Sequence, residues 1–518
     1  MQKKGKLELT WVGKYDREES LESRILVEKP EFSYGDINTE NMLIHGDNLL
    51  ALKSLEQKYS NKVKCIYIDP PFNTGQAFEF YDDNLELSIW LNMMLKRLCM
   101  LKRLLSEDGT IFVHIDDTYM GYLTVLMDEI FGRNNRLYTV TFKQGSATGH
   151  KAINPGCVTT NFILIYAKNK ANWKPNKIYT RRDRDERYGK FIINLESDCS
   201  EWKIVTLIEG FAYNQKIELK KARQLVQKHP NLLDEFVIRN SNAVAQFVNP
   251  DINNVGSEIR EVVMKSKSSP EKIFFLHREN NPDMYFVNGK RILFYSNKLK
   301  SIDGEMVTGE PLTTLWDDLL SNNLHNEGGV AFPKGKKPES LIKRVLEIST
   351  NRGDIVLDSF LGSGTTAAVA HKMGRRWIGI EMGIQAYSHC KVRLEAVING
   401  EDTSGITKAV AWEGGGGYKF YELAEPLLIK NTKLPIYQIN PSYTFDMVAE
   451  AICKIEGFTY TPRGEFHGYS SENRFIHITM EFVNLKYIQS LMKNLGERQS
   501  LLIYCKRMQS DMNLPVNV

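Results

Sequence analysis

No stretch of these 518 residues approaches the roughly 18–20 consecutive apolar residues of a membrane helix, so no membrane span is expected. The opening Met1-Gln2-Lys3-Lys4-Gly5-Lys6 is basic but leads into no apolar segment, which argues against a secretory signal. Cysteine is sparse and scattered, at 65, 99, 157, 199, 390, 453 and 505, with no Cys-x-x-Cys pair. That spacing argues against a disulfide framework or a zinc site and fits a reducing cytoplasm. No Gly-x-x-x-x-Gly-Lys-Ser/Thr string occurs, so ATP-driven helicase chemistry is not expected of this chain. The net charge of +4 is too small to imply a nucleic-acid partner by itself; any such surface must be a local patch. What is present, 42% hydrophobic and 25% charged residues, is enough for about three globular domains.

The most informative string is Asp69-Pro70-Pro71-Phe72, directly after the apolar strand Val63-Lys64-Cys65-Ile66-Tyr67-Ile68. Two prolines cannot continue a sheet, because neither donates an N–H and each fixes φ. The chain must turn where the strand ends. The Asp69 carboxylate, the Pro70 carbonyl and the Phe72 ring then face one pocket at the sheet's carboxyl edge. A carboxylate and a carbonyl accept both hydrogens of an exocyclic amine, while an aromatic face stacks on the attached base. An Asp-Pro pair alone is ordinarily a strand-ending turn; the apolar strand before it and Asn73-Thr74-Gly75 after it favour the functional reading.

A second site lies about 290 residues later. Asp354-Ile355-Val356-Leu357-Asp358 reads as a buried strand, then Ser359-Phe360-Leu361-Gly362-Ser363-Gly364-Thr365-Thr366 turns into a helix. Glycines there let backbone approach a ligand, and the helix start supplies unpaired N–H groups. A further strand, Trp377-Ile378-Gly379-Ile380, ends in Glu381, about 20 residues past the first glycine, where a carboxylate can hold ribose hydroxyls. Gly-x-Gly also fits nicotinamide enzymes, but those would leave Asp-Pro-Pro-Phe without a role. No lysine follows the glycines, so a Walker loop is excluded. Asp358 and Phe360 beside the loop point to an adenosyl ligand without phosphates.

At these residues the chain resembles the S-adenosylmethionine-dependent amino methyltransferases of DNA. Asp69-Pro70-Pro71-Phe72 matches their catalytic motif and Phe360-Leu361-Gly362-Ser363-Gly364 their cofactor loop. The order, catalytic motif first, then a long insert, then the cofactor loop, resembles the permuted β group. Leu43-Ile44-His45-Gly46-Asp47-Asn48-Leu49, Phe332-Pro333-Lys334 with Lys337-Pro338, and Gly414-Gly415-Gly416-Gly417 are similar to Mod subunits of type III restriction–modification systems. The resemblance implies that Asp47 accepts from the cofactor's adenine amine and that Lys337 lies beside its methionine carboxylate. It further implies a homodimer on double-stranded DNA and a separate ATP-dependent restriction subunit. Alternatives stay open: a solitary methyltransferase, methylation of cytosine N4, RNA or a protein amide, or a DNA-recognition subunit with a relic catalytic domain. A cytosine carbon-5 enzyme needs a cysteine directly after proline, and Pro155-Gly156-Cys157 has a glycine between.

Alternating strands and helices imply an α/β, Rossmann-like, mostly parallel sheet with helices on both faces. The expected organisation is an N-terminal arm (1–42), a catalytic half (43–169), a target-recognition insert (170–310), a cofactor half (311–412) and a small C-terminal α/β module (413–518). The insert loses the alternation and carries basic residues interleaved with aromatics, such as Arg181-Arg182, Arg187-Tyr188 and Lys290-Arg291. Basic groups neutralise phosphate and Arg, Asn and Gln read base edges. Charge alone suits a solvated surface equally well; the position between the two motifs favours DNA reading. Gly414–Gly417 is expected to be a flexible joint.

Overall fold

The computed structural model describes residues 8–16, 24–72, 86–145, 158–279, 281–319, 324–332, 335–431 and 435–518. The basic leader 1–6, Asn73-Thr74-Gly75, Pro155-Gly156-Cys157 and Pro333-Lys334 lie outside the described residues. The chain divides into two compact units, Met1–Asn176 with Thr314–Val518, and Lys177–Thr313.

The first unit is built on an eleven-stranded sheet. Its strands are β1 (Leu26–Glu28), β2 (Tyr34–Gly35), β3 (Met42–His45), β4 (Val63–Ile68), β5 (Leu105–Ile115), β6 (Arg136–Lys143), β7 (Thr160–Ala167), β8 (Leu315–Trp316), β9 (Ile355–Asp358), β10 (Arg376–Glu381) and β11 (Gly417–Leu423). They lie in the order β1-β11-β3-β10-β9-β4-β5-β7-β6-β8, with β2 also on β11. The six from β11 to β5 are mutually parallel, and β7 runs antiparallel to β5. This is the mostly parallel α/β architecture expected from the sequence. Residues far apart in sequence, 63–68 and 355–358, become neighbours: Ile66 pairs with Leu357 and Cys65 with Val356.

Six helices belong with this sheet: α1 (Asn48–Tyr59), α2 (Leu87–Leu104), α3 (Asp117–Met127), α4 (Glu339–Ser349), α5 (Thr365–Lys372) and α6 (Val392–Ile398). The apolar spacing of α2 puts Trp90, Leu91, Met94, Leu98 and Leu101 on one buried stripe. That stripe shares a core with Leu52 and Leu55 of α1, Leu123 and Leu126 of α3, and Ile66, Ile68, Ile111, Val113, Leu357 and Ile380 of the sheet. Alternate residues of the same strands, Cys65, Tyr67, Phe112 and Val356, are equally buried. Strands covered on both sides read as continuous apolar runs, as β4 and β9 do. Each buried Leu or Ile contributes about 1.5–3 kcal/mol relative to exposure, so this core dominates the unit's stability.

Two expectations are corrected. The stretch Gly414–Gly417 is no loose joint: Gly414, Gly415 and Gly416 all have positive φ, and Gly417 begins β11 inside the sheet. A Cβ at Gly417 would strike the backbone of Asp36 and Tyr34 at 2.3 and 2.6 Å, so close backbone packing is what the glycine serves. The region 1–42 is also more than an arm, since β1 and β2 both pair with β11. Beyond β11, a helix (Phe445–Ile455) and a four-stranded sheet (459–463, 466–471, 474–483, 500–508) form a small α/β layer. Ile25 joins its apolar core alongside Val448, Ile452, Phe458, Ile476 and Ile478.

The second unit has a six-stranded antiparallel sheet whose strands include Val244–Val248, Lys290–Phe294 and Met284–Val287. Helices Leu207–Gln215, Leu219–Lys228 and Asn231–Arg239 share a core with it through Phe191, Phe211, Phe236 and Val244. Its loss of strand–helix alternation in the sequence thus reflects antiparallel pairing, which needs only short connections.

Candidate active site

The strand order reverses between β9 and β4: β10 lies beyond β9 on one side and β5 beyond β4 on the other. The loops that leave their carboxyl ends diverge there, which opens the crevice where open α/β sheets bind ligands. Both sequence motifs occupy this point. Asp69 and Pro70 follow β4, and Ser359 to Gly364 follow β9.

The turn after β4 is held from below. The indole N–H of Trp90 on α2 donates to the Pro71 carbonyl at 2.8 Å, which fixes the second proline against the core. Phe72 stacks on His114 at the end of β5, with ring centroids 5.8 Å apart and planes 26° off parallel. His114 is itself fully buried, bonded to the Tyr67 hydroxyl at 3.0 Å and to the Asn161 amide at 3.2 Å. Burial, with the Lys337 ammonium nearby, pushes its imidazole well below the usual range, so it stays neutral. Asp69 has its Oδ2 2.6 Å from the Lys337 ammonium. Its Oδ1 is buried with no hydrogen-bond partner among the described residues. Burial raises the Asp69 carboxyl, and Lys337 opposes that rise by charge and hydrogen bond.

The loop after β9 is organised by two buried carboxylates. Asp358 accepts from the Phe360 N–H at 2.9 Å and from the Thr366 hydroxyl at 2.6 Å. Burial, together with Asp69 and Glu381 nearby, pushes its carboxyl up to about 7. Glu381, at the end of β10, accepts from the Gly362 N–H at 2.7 Å and the Gly383 N–H at 2.9 Å. Gly362 and Gly364 have φ of +57° and +82°, a region that side chains rarely adopt. Gly364 is also the N-cap of α5 and supplies no side-chain cap, which leaves first-turn N–H groups available. Among the described residues, the Ser359 hydroxyl in this loop and both ends of the Gln385 amide, which lies against Gly383, are buried without partners. Unpaired buried polar atoms cost free energy until something satisfies them. Two acidic groups and no cation in the loop itself disfavour a polyphosphate and suit a ligand with hydroxyls and positive charge.

The remaining sequence candidates are placed differently. Asp47 caps α1 through Leu50 N–H at 3.0 Å and pairs with Arg97 at 3.1 Å, so its carboxylate already has protein partners. Thr365 accepts at its hydroxyl from Arg393 at 2.8 Å. His45 bonds to the Tyr387 hydroxyl at 3.2 Å. Lys337 lies on Asp69, immediately before Pro338, the N-cap of α4. Sequence reasoning missed Trp90, His114, Asn48 and Arg97. Asn48, within the quoted His45–Leu49 string, donates to the Ser359 carbonyl at 2.7 Å and thereby ties α1 to the cofactor loop.

Behind the loop sits a buried ionic cluster. Lys372 contacts Glu339 at 2.8 Å and Asp402 at 2.6 Å, and Arg393 contacts Glu339 at 2.7 Å, with all four side chains at most 2% exposed. Two positive and two negative groups balance, and the Ile406 N–H satisfies a further lone pair of Glu339 at 3.0 Å. Such a cluster persists only when its geometry is met in full, which makes it a rigid joint between α4, α5 and α6. It connects Thr365 at the loop to Glu339, two residues from Lys337.

Comparison with known proteins gives one family and several relatives. The family described as DNA methylase matches residues 63–391. A probable type III restriction-modification enzyme HindVI Mod subunit of Haemophilus influenzae is 37% identical over 74% of this chain and 54% of its own. The type III EcoP15I Mod subunit of Escherichia coli is 27% identical over 78% of this chain and 55% of its own. The EcoPI Mod subunit of Escherichia phage P1 is 28% identical over 64% of this chain and 55% of its own. The chain thus spans about half the length of these relatives.

Proposed function

The chain belongs to the DNA methylase family, and from that premise we propose that it transfers a methyl group from S-adenosylmethionine to adenine N6 in double-stranded DNA. The observation that carries the reading is the buried Oδ1 of Asp69, unpaired among the described residues, at the strand-order reversal that also sets the glycine loop after β9. S-adenosylmethionine supplies an electrophilic methyl group when bound. The residues that would hold it are Gly362, Gly364, Thr365, Phe360, Asp358 and Glu381, with Asp47 assigned by family resemblance. An adenine amino nitrogen is a poor nucleophile because its lone pair is delocalised into the ring. Asp69 Oδ1 and the Pro70 carbonyl accept its two hydrogens and favour the pyramidal form. The Asp69 carboxylate also stabilises the positive charge that develops on that nitrogen. The base leaves the duplex to reach this pocket, and Phe72, backed by His114, is the ring on which it stacks. No covalent enzyme intermediate is needed; the catalysis is positional and electrostatic.

The test is direct: incubate the purified chain with S-adenosylmethionine and host DNA, then identify the methylated base by mass spectrometry and its context by sequencing. N6-methyladenine at one short site is expected. N4-methylcytosine alone, or transfer only to RNA or protein, overturns the assignment.

Cofactor affinity should depend on pH through Asp358. A carboxyl pushed up to about 7 is half neutral at that pH before a ligand arrives, and a cationic ligand prefers the ionised form. Affinity is therefore expected to fall as pH drops below 7, approaching about tenfold per unit where a single proton governs binding. Calorimetry between pH 8 and pH 5.5 checks this, with D358N giving weak, pH-flat binding.

We assign target reading to residues 177–313, the unit that corresponds to the insert expected at 170–310, because it lies between the two motifs in sequence and is built on its own antiparallel sheet. Exchanging this segment for that of a related enzyme should move methylation to a new sequence with the same product base. Methylation that keeps its original site in the chimera would refute the assignment. From the family resemblance we further propose a cytoplasmic homodimer that serves a separate ATP-dependent restriction subunit. Light scattering and pull-down from the native host check both associations.

A further inference from the structure

Lys337 is expected from family resemblance to serve the cofactor, yet its ammonium lies on the other reactant's side. Its Nζ is 2.6 Å from Asp69 Oδ2 and 5.1 Å over the Phe72 ring. The side chain is 8% exposed, so this is a largely desolvated pair. The backbone around it is anchored: Pro338 caps α4, and Glu339 is locked in the ionic cluster with Lys372 and Arg393. The two oxygens of Asp69 are thereby divided, Oδ2 clamped by Lys337 and Oδ1 without a partner among the described residues.

The other charged and titratable groups about Asp69 do not supply what Lys337 does. Asp358, from β9, is an acid that is itself raised by Asp69 and offers it no counter-charge. Tyr67 of β4 has its phenol pushed well above the usual range by burial, so it is neutral. His114 of β5, stacked on Phe72, is held neutral as well. A carboxylate beside another carboxylate in a desolvated site tends to take a proton. Protonated, Asp69 is a weaker acceptor for its amine hydrogen and no longer offsets positive charge on the nitrogen.

We infer that Lys337 is the positioning residue for Asp69, holding one carboxylate oxygen and keeping the group ionised so that the other accepts the target amine. This rests on the methyltransferase reading above and assigns Lys337 a role toward the base in place of the cofactor role that the resemblance implies.

The test compares K337M and K337R with the unaltered chain, using kcat/KM for a target duplex between pH 5.5 and 9.5 and calorimetric Kd for S-adenosylmethionine. In K337M the acid limb should move up by about one pH unit or more, which reads as roughly tenfold less activity near neutrality that recovers at alkaline pH. K337R keeps the charge and should restore the limb towards its original position. Cofactor Kd should change by less than about fivefold in both, since a pair that serves Asp69 adds little to cofactor binding. K337Q, also neutral, replaces K337M if the latter does not fold. An unmoved acid limb, activity still absent at pH 9.5 with cofactor bound, or a tenfold or greater loss of cofactor binding overturns the inference. No methylation by the unaltered chain at any pH would instead overturn the proposed function, so the two failures are distinct.

Discussion

Replacing Asp69 with alanine is expected to abolish methyl transfer while leaving S-adenosylmethionine binding largely intact. The carboxylate sits after β4 and the glycine loop after β9, so the two sites are adjacent but built from different strands. Asp69 Oδ1 has no partner among the described residues, and its proposed work is to accept the amine and offset charge as the bond forms. Removing one such preorganised electrostatic group costs about 10²–10³ in kcat, and losing the amine acceptor as well pushes the effect to the upper end. Asp69→Asn separates the terms, since it keeps the shape and one acceptor but not the charge. Single-turnover methylation and calorimetry on the same preparations make the measurement. If Asp69→Ala loses cofactor affinity as severely as a loop variant does, the division of labour between the two loops is wrong.

Gly364→Val should give the opposite pattern: little cofactor binding, and methylation lost as a consequence. Gly364 has φ +82°, a conformation that costs a β-branched residue about 1–3 kcal/mol. Its added Cβ would also lie 3.2 Å from the Cys390 Cα, 3.6 Å from its Cβ and 3.6 Å from its Sγ. The loop cannot yield toward Cys390, whose thiol already donates to the Gly362 carbonyl at 3.1 Å. The strain alone corresponds to roughly 10- to 100-fold weaker binding if the loop must leave its shape. Calorimetry with S-adenosylmethionine checks this, and Gly364→Ala should fall between the two because it adds the Cβ without the branch. Binding in Gly364→Val as tight as in the unaltered chain would remove the glycine loop from the cofactor site.

Much of the site was legible before any coordinates. Two prolines can only stop a strand, and a glycine pair between an apolar strand and a helix can only be a tight turn, so both loops and their strands follow from local chemistry. The same is true of α2, whose buried stripe reads directly from its spacing. Lys337-Pro338 was visible as well, but the family resemblance placed Lys337 beside the cofactor's methionine carboxylate, whereas its ammonium lies on Asp69.

What the sequence determined by itself, then, is what depends on neighbours along the chain: which segments are strands, where they stop, and which side chains stand at the stops. The tertiary structure decided what depends on residues hundreds of positions apart. It put β4 beside β9 and set both motifs at one reversal of strand order. It turned the glycine run 414–417 from an expected joint into the entry to β11, because a parallel strand was needed beside β3. It also placed the Lys337 ammonium on Asp69 and gathered Glu339, Lys372, Arg393 and Asp402 into one dry cluster. Ion pairs of that kind leave no periodicity, since desolvation and charge act through space and take their partners from wherever the sheet brings them.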